Sequence, residues 1–472
     1  MKFLFSLQFK KSSDLRLFPV WEGGGPAADF GSVDVKAALK DFNGKKGETL
    51  LTYDGEQRIL LLGLGKKEKA SVEVLRRAYS CAVKVLHKKK FKHVDLLFPD
   101  CKQKEHFFRG ITEGIALSNY TFSYKDKPEE PVVLLESVTF IGVEKSPLID
   151  EITTIAEGVH FVRDLINSNA DDKTDQLIKL AKQLHPKVKT TVFDKKWISE
   201  EKMGLLLAVN RASSKDPVLI QASYKGDPKS KVHIVLVGKG VTYDTGGLSL
   251  KPTSNMLTMK SDMGGAATVL GAVKTAAALG LKVNVTALTP VTENCIGSNS
   301  YKLGDVYRSY SGKTVEINNT DAEGRLILAD AIAYAVKNLK PSYIVDLATL
   351  TGACVVALGE EFSGLFSNDD DLAETLLEAA DQVDELMWRL PVHDSYQEML
   401  KSDIADMVNA GKREGGAITA ALFLQNFTED VPWAHIDIAG PAFVEKPRYY
   451  NPIKGTGYGV RMLIEFLKRE SL

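Results

Sequence analysis

At 472 residues the chain is longer than one hydrophobic core usually serves, so two domains are expected. Its 44% hydrophobic and 26% charged residues are those of an ordinary soluble protein, and no apolar stretch is long enough to span a bilayer. A net charge of −1 excludes a whole-molecule attraction to nucleic acid or to an anionic membrane.

The chain opens on an apolar run, but Gln8 and Lys10 cut it short and no small-residue cleavage site follows, so a signal peptide is not expected. From the start to about residue 149, short apolar strands at 3–9, 58–64, 93–98 and 137–141 alternate with helical patterns at 72–86 and 104–116. That alternation predicts an α/β domain over 1–150. The Gly63-Leu64-Gly65 turn suggests a dinucleotide loop, yet Glu68 stands where the third glycine belongs. Residues 66–93, with Lys88-Lys89-Lys90, read as a solvated basic face, with a nucleic-acid or partner patch as the alternative. Four cysteines, Cys81, Cys101, Cys295 and Cys354, lack metal-ligand spacing and are expected as thiols in a reducing compartment, which points to the cytoplasm.

A helical stretch at 152–165 leads into the polar turn Asn167-Ser168-Asn169-Ala170-Asp171, so residues 151–170 are read as linker helix and junction. Residues 171–472 then form the second domain. Its predicted strands lie at 190–192, 205–208, 218–222, 233–237, 283–288 and 343–347, with helices at 266–279 and 326–339. Such alternation implies a mixed, mostly parallel central sheet flanked by helices.

Two loops hold the candidate chemistry. The first follows the 233–237 strand and carries Lys239, Asp244, Lys251 and Asp262 among the turn-forming glycines 238, 240, 246 and 247. The second, Asn318-Asn319-Thr320-Asp321-Ala322-Glu323-Gly324-Arg325, follows a β-rich run and opens the 326–339 helix. Ligands of open α/β sheets bind beyond the carboxyl ends of strands, so both loops should face one crevice. Simpler readings compete. Thr320 and Glu323 have the spacing of a capping box, and residues 243–247 could be a plain turn. Ser311-Gly312-Lys313-Thr314 fails as a phosphate loop because Tyr307 stands where a glycine is required. His435 alternates with apolar neighbours and reads as a strand histidine, and a carboxylate-rich site without histidine favours Mn²⁺ or Mg²⁺, with Zn²⁺ retained on affinity grounds.

The octapeptide Asn319-Thr320-Asp321-Ala322-Glu323-Gly324-Arg325-Leu326, with the spacing of Lys239, Asp244, Lys251 and Asp262, resembles the leucyl aminopeptidases, two-metal exopeptidases of the cytosolic kind. The likeness runs from about residue 163 to the C-terminus, and Asn169 and Asp175 depart from it where the family usually has proline. It implies a macro-like N-terminal α/β domain, a larger catalytic domain, and a homohexamer built as a dimer of trimers. It also implies two divalent ions held by Lys239, Asp244, Asp262, Asp321 and Glu323, with Asp244 and Glu323 shared between them. Lys251 would be the electrophile, and Arg325 would hold a bicarbonate ion as general base. Met259, Thr349, Leu350, Gly352 and Ala439, with Asp262, match positions that bind the substrate's first residue, with an ordinary core methionine as the lesser reading of Met259. Peptides with leucine-like first residues are the implied substrates. A DNA-binding role through 66–93 is an added alternative, and a two-metal phosphoesterase is the rival enzyme.

Overall fold

The computed structural model describes residues 1–10, 12–23, 25–126, 129 and 131–471, in two compact units. One comprises Met1–His160 and Glu445–Ile453, the other Phe161–Val444 and the chain from Lys454 onward. The first of their boundaries in the chain lies within the Leu148–Asn167 helix.

The first unit is built on a seven-stranded sheet: β1 (Lys2–Ser6), β2 (Leu15–Trp21), β3 (Gly25–Pro26), β4 (Thr49–Asp54), β5 (Gln57–Gly63), β6 (His93–Leu97) and β7 (Ser137–Ile141). The order is β1-β7-β6-β2-β5-β4, parallel from β1 to β5, with β4 antiparallel at one edge and β3 paired to β2. Both faces are covered. In β5, Leu60 and Leu62 join the cluster containing Leu75, Tyr79 and Phe108, while Ile59 and Leu61 join Phe18, Phe30 and Phe42 opposite.

Strand β2 lies near the middle of this sheet, yet its sequence, Leu-Arg-Leu-Phe-Pro-Val-Trp, carries an arginine and a proline that argue against a central strand. Both are accommodated. Arg16 lies over the Phe9 ring at 4.5 Å, and Pro19 falls beyond the β6 pairing, which ends at Leu17. The predicted helices are present and longer, as Val72–Lys88 and Lys104–Ser118. Lys88, Lys89 and Lys90 are exposed, as both a solvated face and a partner patch require.

The second unit contains a nine-stranded sheet: β8 (Val188–Phe193), β9 (Val218–Lys225), β10 (Ile234–Gly238), β11 (Gly240–Asp244) and β12 (Asn284–Asn294), then, after β13 (Val306–Arg308) and β14 (Thr314–Glu316) of a smaller sheet, β15 (Tyr343–Ala348), β16 (Ser363–Ser367) and β17 (Met387–Arg389); β18 (Met407–Val408) joins the smaller sheet and β19 (Trp433–Asp437) completes the larger. Its order is β17-β16-β19-β15-β10-β12-β9-β8, with β11 paired to β12. The middle strands β19, β15, β10 and β12 run parallel, and the sheet is mixed towards its edges. A Gly/Ala-rich helix, Gly264–Leu279, starts so close to the strand ends that a Cβ on Gly265 would lie 2.0 Å from the Leu347 carbonyl oxygen. That approach brings Asp262, just before the helix, to the end of β10.

One predicted strand is wrong. Residues 205–208 belong to the helix Gly204–Asn210, an apolar run too short for periodicity to separate strand from helix. Its start is held by Asp330, whose carboxylate accepts Leu205 N–H at 2.9 Å, Leu206 N–H at 3.0 Å and, on its other oxygen, Tyr310 N–H at 2.7 Å. Asp330 is fully buried, so removing it leaves amides that water cannot reach. Asp330→Ala should cost on the order of 3 kcal/mol or more, at roughly 1–3 kcal/mol for each orphaned group, whereas Asp330→Asn, which retains acceptor capacity, should cost less. Urea unfolding checks this, and equal stability of the alanine variant and the parent would contradict it.

Candidate active site

Five chain segments end at one edge of the larger sheet. Lys239 follows β10, Asp244 closes β11, Asn294 closes β12, Thr349 lies just past β15, and Asp437 closes β19. This is the carboxyl end of the parallel strands, where α/β sheets gather their ligands. The loop after β11 turns back through Gly246 (φ +83°) and Gly247 (φ +61°), and a Cβ on Gly246 would lie 2.4 Å from the Ser249 carbonyl oxygen and 2.9 Å from Asp321 Oδ1. Glycine is therefore required there on both conformational and steric grounds.

The two acidic loops face each other as expected. Lys239 Nζ lies 2.8 Å from Asp262 Oδ1 and 2.9 Å from Glu323 Oε1, and donates to the Thr349 carbonyl at 2.9 Å. Lys251 Nζ lies 2.8 Å from Asp244 Oδ2 and also pairs with Asp321. Lys239, Asp244, Asp262 and Glu323 are buried. Ligand atoms of Asp244, Asp262 and Glu323 all lie within 4.8 Å of one another, and Asp262 Oδ2 is buried without a hydrogen-bond partner. Converging carboxylates with an unmatched buried oxygen form a donor set that fits a hard or borderline divalent cation.

The capping-box reading of Thr320 and Glu323 fails. Ala322, not Thr320, precedes the helix Glu323–Tyr334. Thr320 Oγ1 instead donates to the Gly246 carbonyl at 2.7 Å and accepts the Ser249 N–H at 2.7 Å, tying the two loops together, while Glu323 faces Lys239. Gly324 allows that approach, since a Cβ there would meet Lys239 Cε at 2.5 Å.

Electrostatics follow from burial. Desolvation alone would lower Lys239, but attraction by Asp262, Glu323 and Asp244 outweighs it and holds the ammonium above the ordinary lysine value. Lys251 behaves alike, with Asp244 the leading attraction against burial. Burial raises Glu323, and Asp244 adds to the rise against the pull of Lys239; Asp262 is also raised, by burial first and despite Lys239. Arg325 is buried rather than a surface partner of Glu323. It donates to the Asn409 carbonyl at 3.0 Å, its Nε has no partner, and burial lowers its pKa to about 10.

Of the expected substrate-binding residues, Thr349 donates to Asp262 Oδ1 at 2.6 Å. Leu350 and Ala439 both donate their N–H groups to Asp437 Oδ1 at 3.1 Å, and Thr351 Oγ1 donates to Asp437 Oδ2 at 2.7 Å. Met259 is half-buried in the turn Met259–Ser261 before Asp262. Gly352 is exposed at the start of the helix Gly352–Leu358.

Sequence reasoning missed three organising residues. Asn294 Nδ2 donates to Asp244 Oδ1 at 2.8 Å and to the Thr320 carbonyl at 3.0 Å; Asn409 Oδ1 accepts the Asn318 and Asn319 N–H groups; and Asp437 holds the 350–351 and 439 loops. Asn294 and Asp437 close strands β12 and β19, and only that position could have singled them out, whereas Asn409 follows β18, a strand of two residues too short to read from sequence. His435 is a buried strand residue, with Nδ1 2.6 Å from Asp346 Oδ1. In the rejected phosphate-loop stretch, Thr314 Oγ1 donates to Asp406 Oδ2 at 2.7 Å, and the Lys313 ammonium donates to the Asn426 carbonyl. The four cysteines are free thiols, and no helix among the described residues is long and apolar enough to cross a membrane.

The sequence profile of the cytosol aminopeptidase family, catalytic domain, matches residues 160–464, and that of the same family's N-terminal domain matches residues 31–128. A probable cytosol aminopeptidase of Protochlamydia amoebophila is 50% identical across 100% of this chain and 99% of its own length. Among solved structures, a bottromycin maturation enzyme in complex with Mn is 33% identical with a TM-score of 0.87, covering 98% of this chain and 100% of its own. A variant of tomato leucine aminopeptidase is 32% identical with a TM-score of 0.87, covering 99% of this chain and 96% of its own.

Carboxyl groups held above their unfolded values stabilise the metal-free fold while protonated, below about pH 4, and lose that contribution as the pH rises through their folded values. A divalent cation needs the deprotonated form, so its stabilising effect should grow with pH. Melting with and without Mn²⁺ should show a gap that widens from about pH 5 to about pH 8. A gap that narrows over that range would contradict the assignment of Asp262 and Glu323.

Proposed function

The chain belongs to the cytosol aminopeptidase family and is a metal-dependent aminopeptidase, and on that premise we propose that it releases leucine-like N-terminal residues from peptides at a centre of two divalent ions. The observation that carries this reading is the buried cluster of Lys239, Asp244, Asp262 and Glu323, with Lys251 and Asp321 at its edge. Asp244 and Glu323 would serve both ions, Asp321 would complete the donor set of one, and Lys239 with Asp262 that of the other. When bound, the two ions supply Lewis acidity and a water that is deprotonated at neutral pH. Mn²⁺ and Zn²⁺ suit this donor set, and Mg²⁺ is the oxygen-preferring alternative.

Lys239 would join such a set only as a neutral amine, so it would have to give up its proton. Lys251 keeps its charge and directs an ammonium at the scissile carbonyl oxygen, where negative charge grows as the bond is attacked. Asp262 receives the substrate's amino group, which explains action at a chain end: an internal peptide bond offers no such group. Met259, Thr349, Leu350, Gly352 and Ala439 present an apolar and small-residue lining to the first side chain.

The departing amine still needs a proton, and the carboxylates are committed to the ions. Arg325 supplies the remaining site, because a guanidinium holds a planar oxyanion such as bicarbonate through paired hydrogen bonds, and its unpartnered Nε is consistent with that use. The family likeness supports a cytoplasmic homohexamer, a dimer of trimers. A secondary DNA-binding role would use the basic segment 66–93, where Lys89, Lys90 and Lys92 line a groove with Arg58, Tyr53 and Phe91, although Asp14 lines it too and Lys92 pairs with Glu136 at 2.7 Å. Duplex binding that weakens steeply with salt would support it, and no detectable binding at physiological salt would remove it.

Lys251→Ala should leave the metal content intact while lowering kcat for leucine amide by on the order of 10²–10³. Lys239→Ala should lose metal. Elemental analysis beside steady-state kinetics separates them, and identical metal loss in both variants would defeat the distinction between electrophile and ligand.

A further inference from the structure

The Met259–Ser261 turn carries Met259 and leads directly to Asp262. A pair of lysines outside the carboxylate cluster holds it. Lys173, in the helix Ala170–Ala181, is 0% exposed, and its ammonium donates to the Ile166 carbonyl at 3.0 Å and to the Lys260 carbonyl. Lys260 donates its own ammonium to the neighbouring Asn167 carbonyl at 2.9 Å. Ile166 and Asn167 end the helix Leu148–Asn167, where carbonyls lack intrahelical partners and the helix dipole favours cations. Asn167 Oδ1 in turn accepts the Gly455 N–H at 2.9 Å, fixing that helix end.

The residue after Lys173 makes a second tie. Thr174 Oγ1 lies 3.5 Å from Thr242 Oγ1 on β11, the strand that ends in Asp244. Two consecutive residues of one helix therefore brace the segment leading to Asp244 and the segment leading to Asp262. A lysine is a costly residue to place there. Burial, followed by the like charge of Lys260, lowers its pKa to about 7, and no carboxylate pairs with it among the described residues. An apolar side chain of similar length would fill the space, but it would leave the Ile166 and Lys260 carbonyls without their donor.

We propose that Lys173 is a specificity-determining positioning residue: together with Lys260, it fixes the Met259–Ser261 turn and sets where the substrate's first side chain meets Met259. Lys173 acts through the turn and touches no substrate. The inference rests on the proposed role of Met259.

The test is Lys173→Met in the full chain loaded with Mn²⁺, with kinetics on leucine amide and alanine amide, metal content and melting temperature. The expected result is wild-type metal content, a KM for leucine amide raised about tenfold, kcat within about threefold of wild type, and a leucine-over-alanine preference in kcat/KM reduced about tenfold. Equal losses on both amides with the preference unchanged would overturn it, because general loosening of the fold has that signature. Lys260→Met carries the test if Lys173→Met does not fold. It removes only the Asn167 bond, so a preference reduced about threefold is expected, and an unchanged preference would overturn the inference. Wild-type protein inactive on both amides would overturn the aminopeptidase reading and the inference with it, whereas an active wild type with unaltered variants would overturn the inference alone.

Discussion

A lysine ammonium buried among carboxylates is the interaction on which the site depends. Lys239 lies between Asp262 and Glu323, and the Thr349 carbonyl takes a third of its hydrogens. Charges removed from water must be neutralised nearby, and removing one partner of a buried pair costs about 3–5 kcal/mol. The same geometry would serve the proposed chemistry. An amine and carboxylates that attract one another through a proton can attract a dication in its place, provided the proton leaves.

The fold is arranged to bring those groups together without slack. Lys239, Asp244, Asn294, Thr349 and Asp437 come from five strand ends, and the start of the Gly264–Leu279 helix approaches the Leu347 carbonyl so closely that only glycine fits at Gly265. Cross-ties then lock the loops: Thr320 to Gly246 and Ser249, Asn294 to Asp244 and the Thr320 carbonyl, Asp437 to Leu350, Thr351 and Ala439. Each tie uses one polar side chain to satisfy buried groups from another loop, so the site is positioned by hydrogen bonds of long sequence separation.

Those long-range ties are what the sequence concealed. Strand β10 was legible because an uninterrupted apolar run bounded by glycine marks a buried parallel strand, and the first acidic loop was legible because it follows that run. Strand β2 was not, since Arg16 and Pro19 break the pattern and are accommodated only by a ring beneath one and a pairing that stops short of the other. The Gly204–Asn210 helix was misread as a strand because the residue holding its first amides, Asp330, is more than a hundred residues away. Thr320 and Glu323 had the spacing of a local cap, and tertiary partners took both instead. Asn409 and Lys173 gave no signal, because neither the irregular chain around the one nor the helical pattern around the other shows which distant carbonyls they meet.

The central claim, that Lys239 exchanges a proton for a metal ion, is tested most directly by counting protons. Calorimetric titration of metal-free protein with Mn²⁺, in buffers of different ionisation enthalpy near pH 8, gives the number of ions bound and of protons expelled per chain. The account predicts two ions for the parent, and for Lys239→Met fewer ions and at least one proton fewer released. Equal proton release by the two proteins, or a single ion bound by the parent, would contradict it.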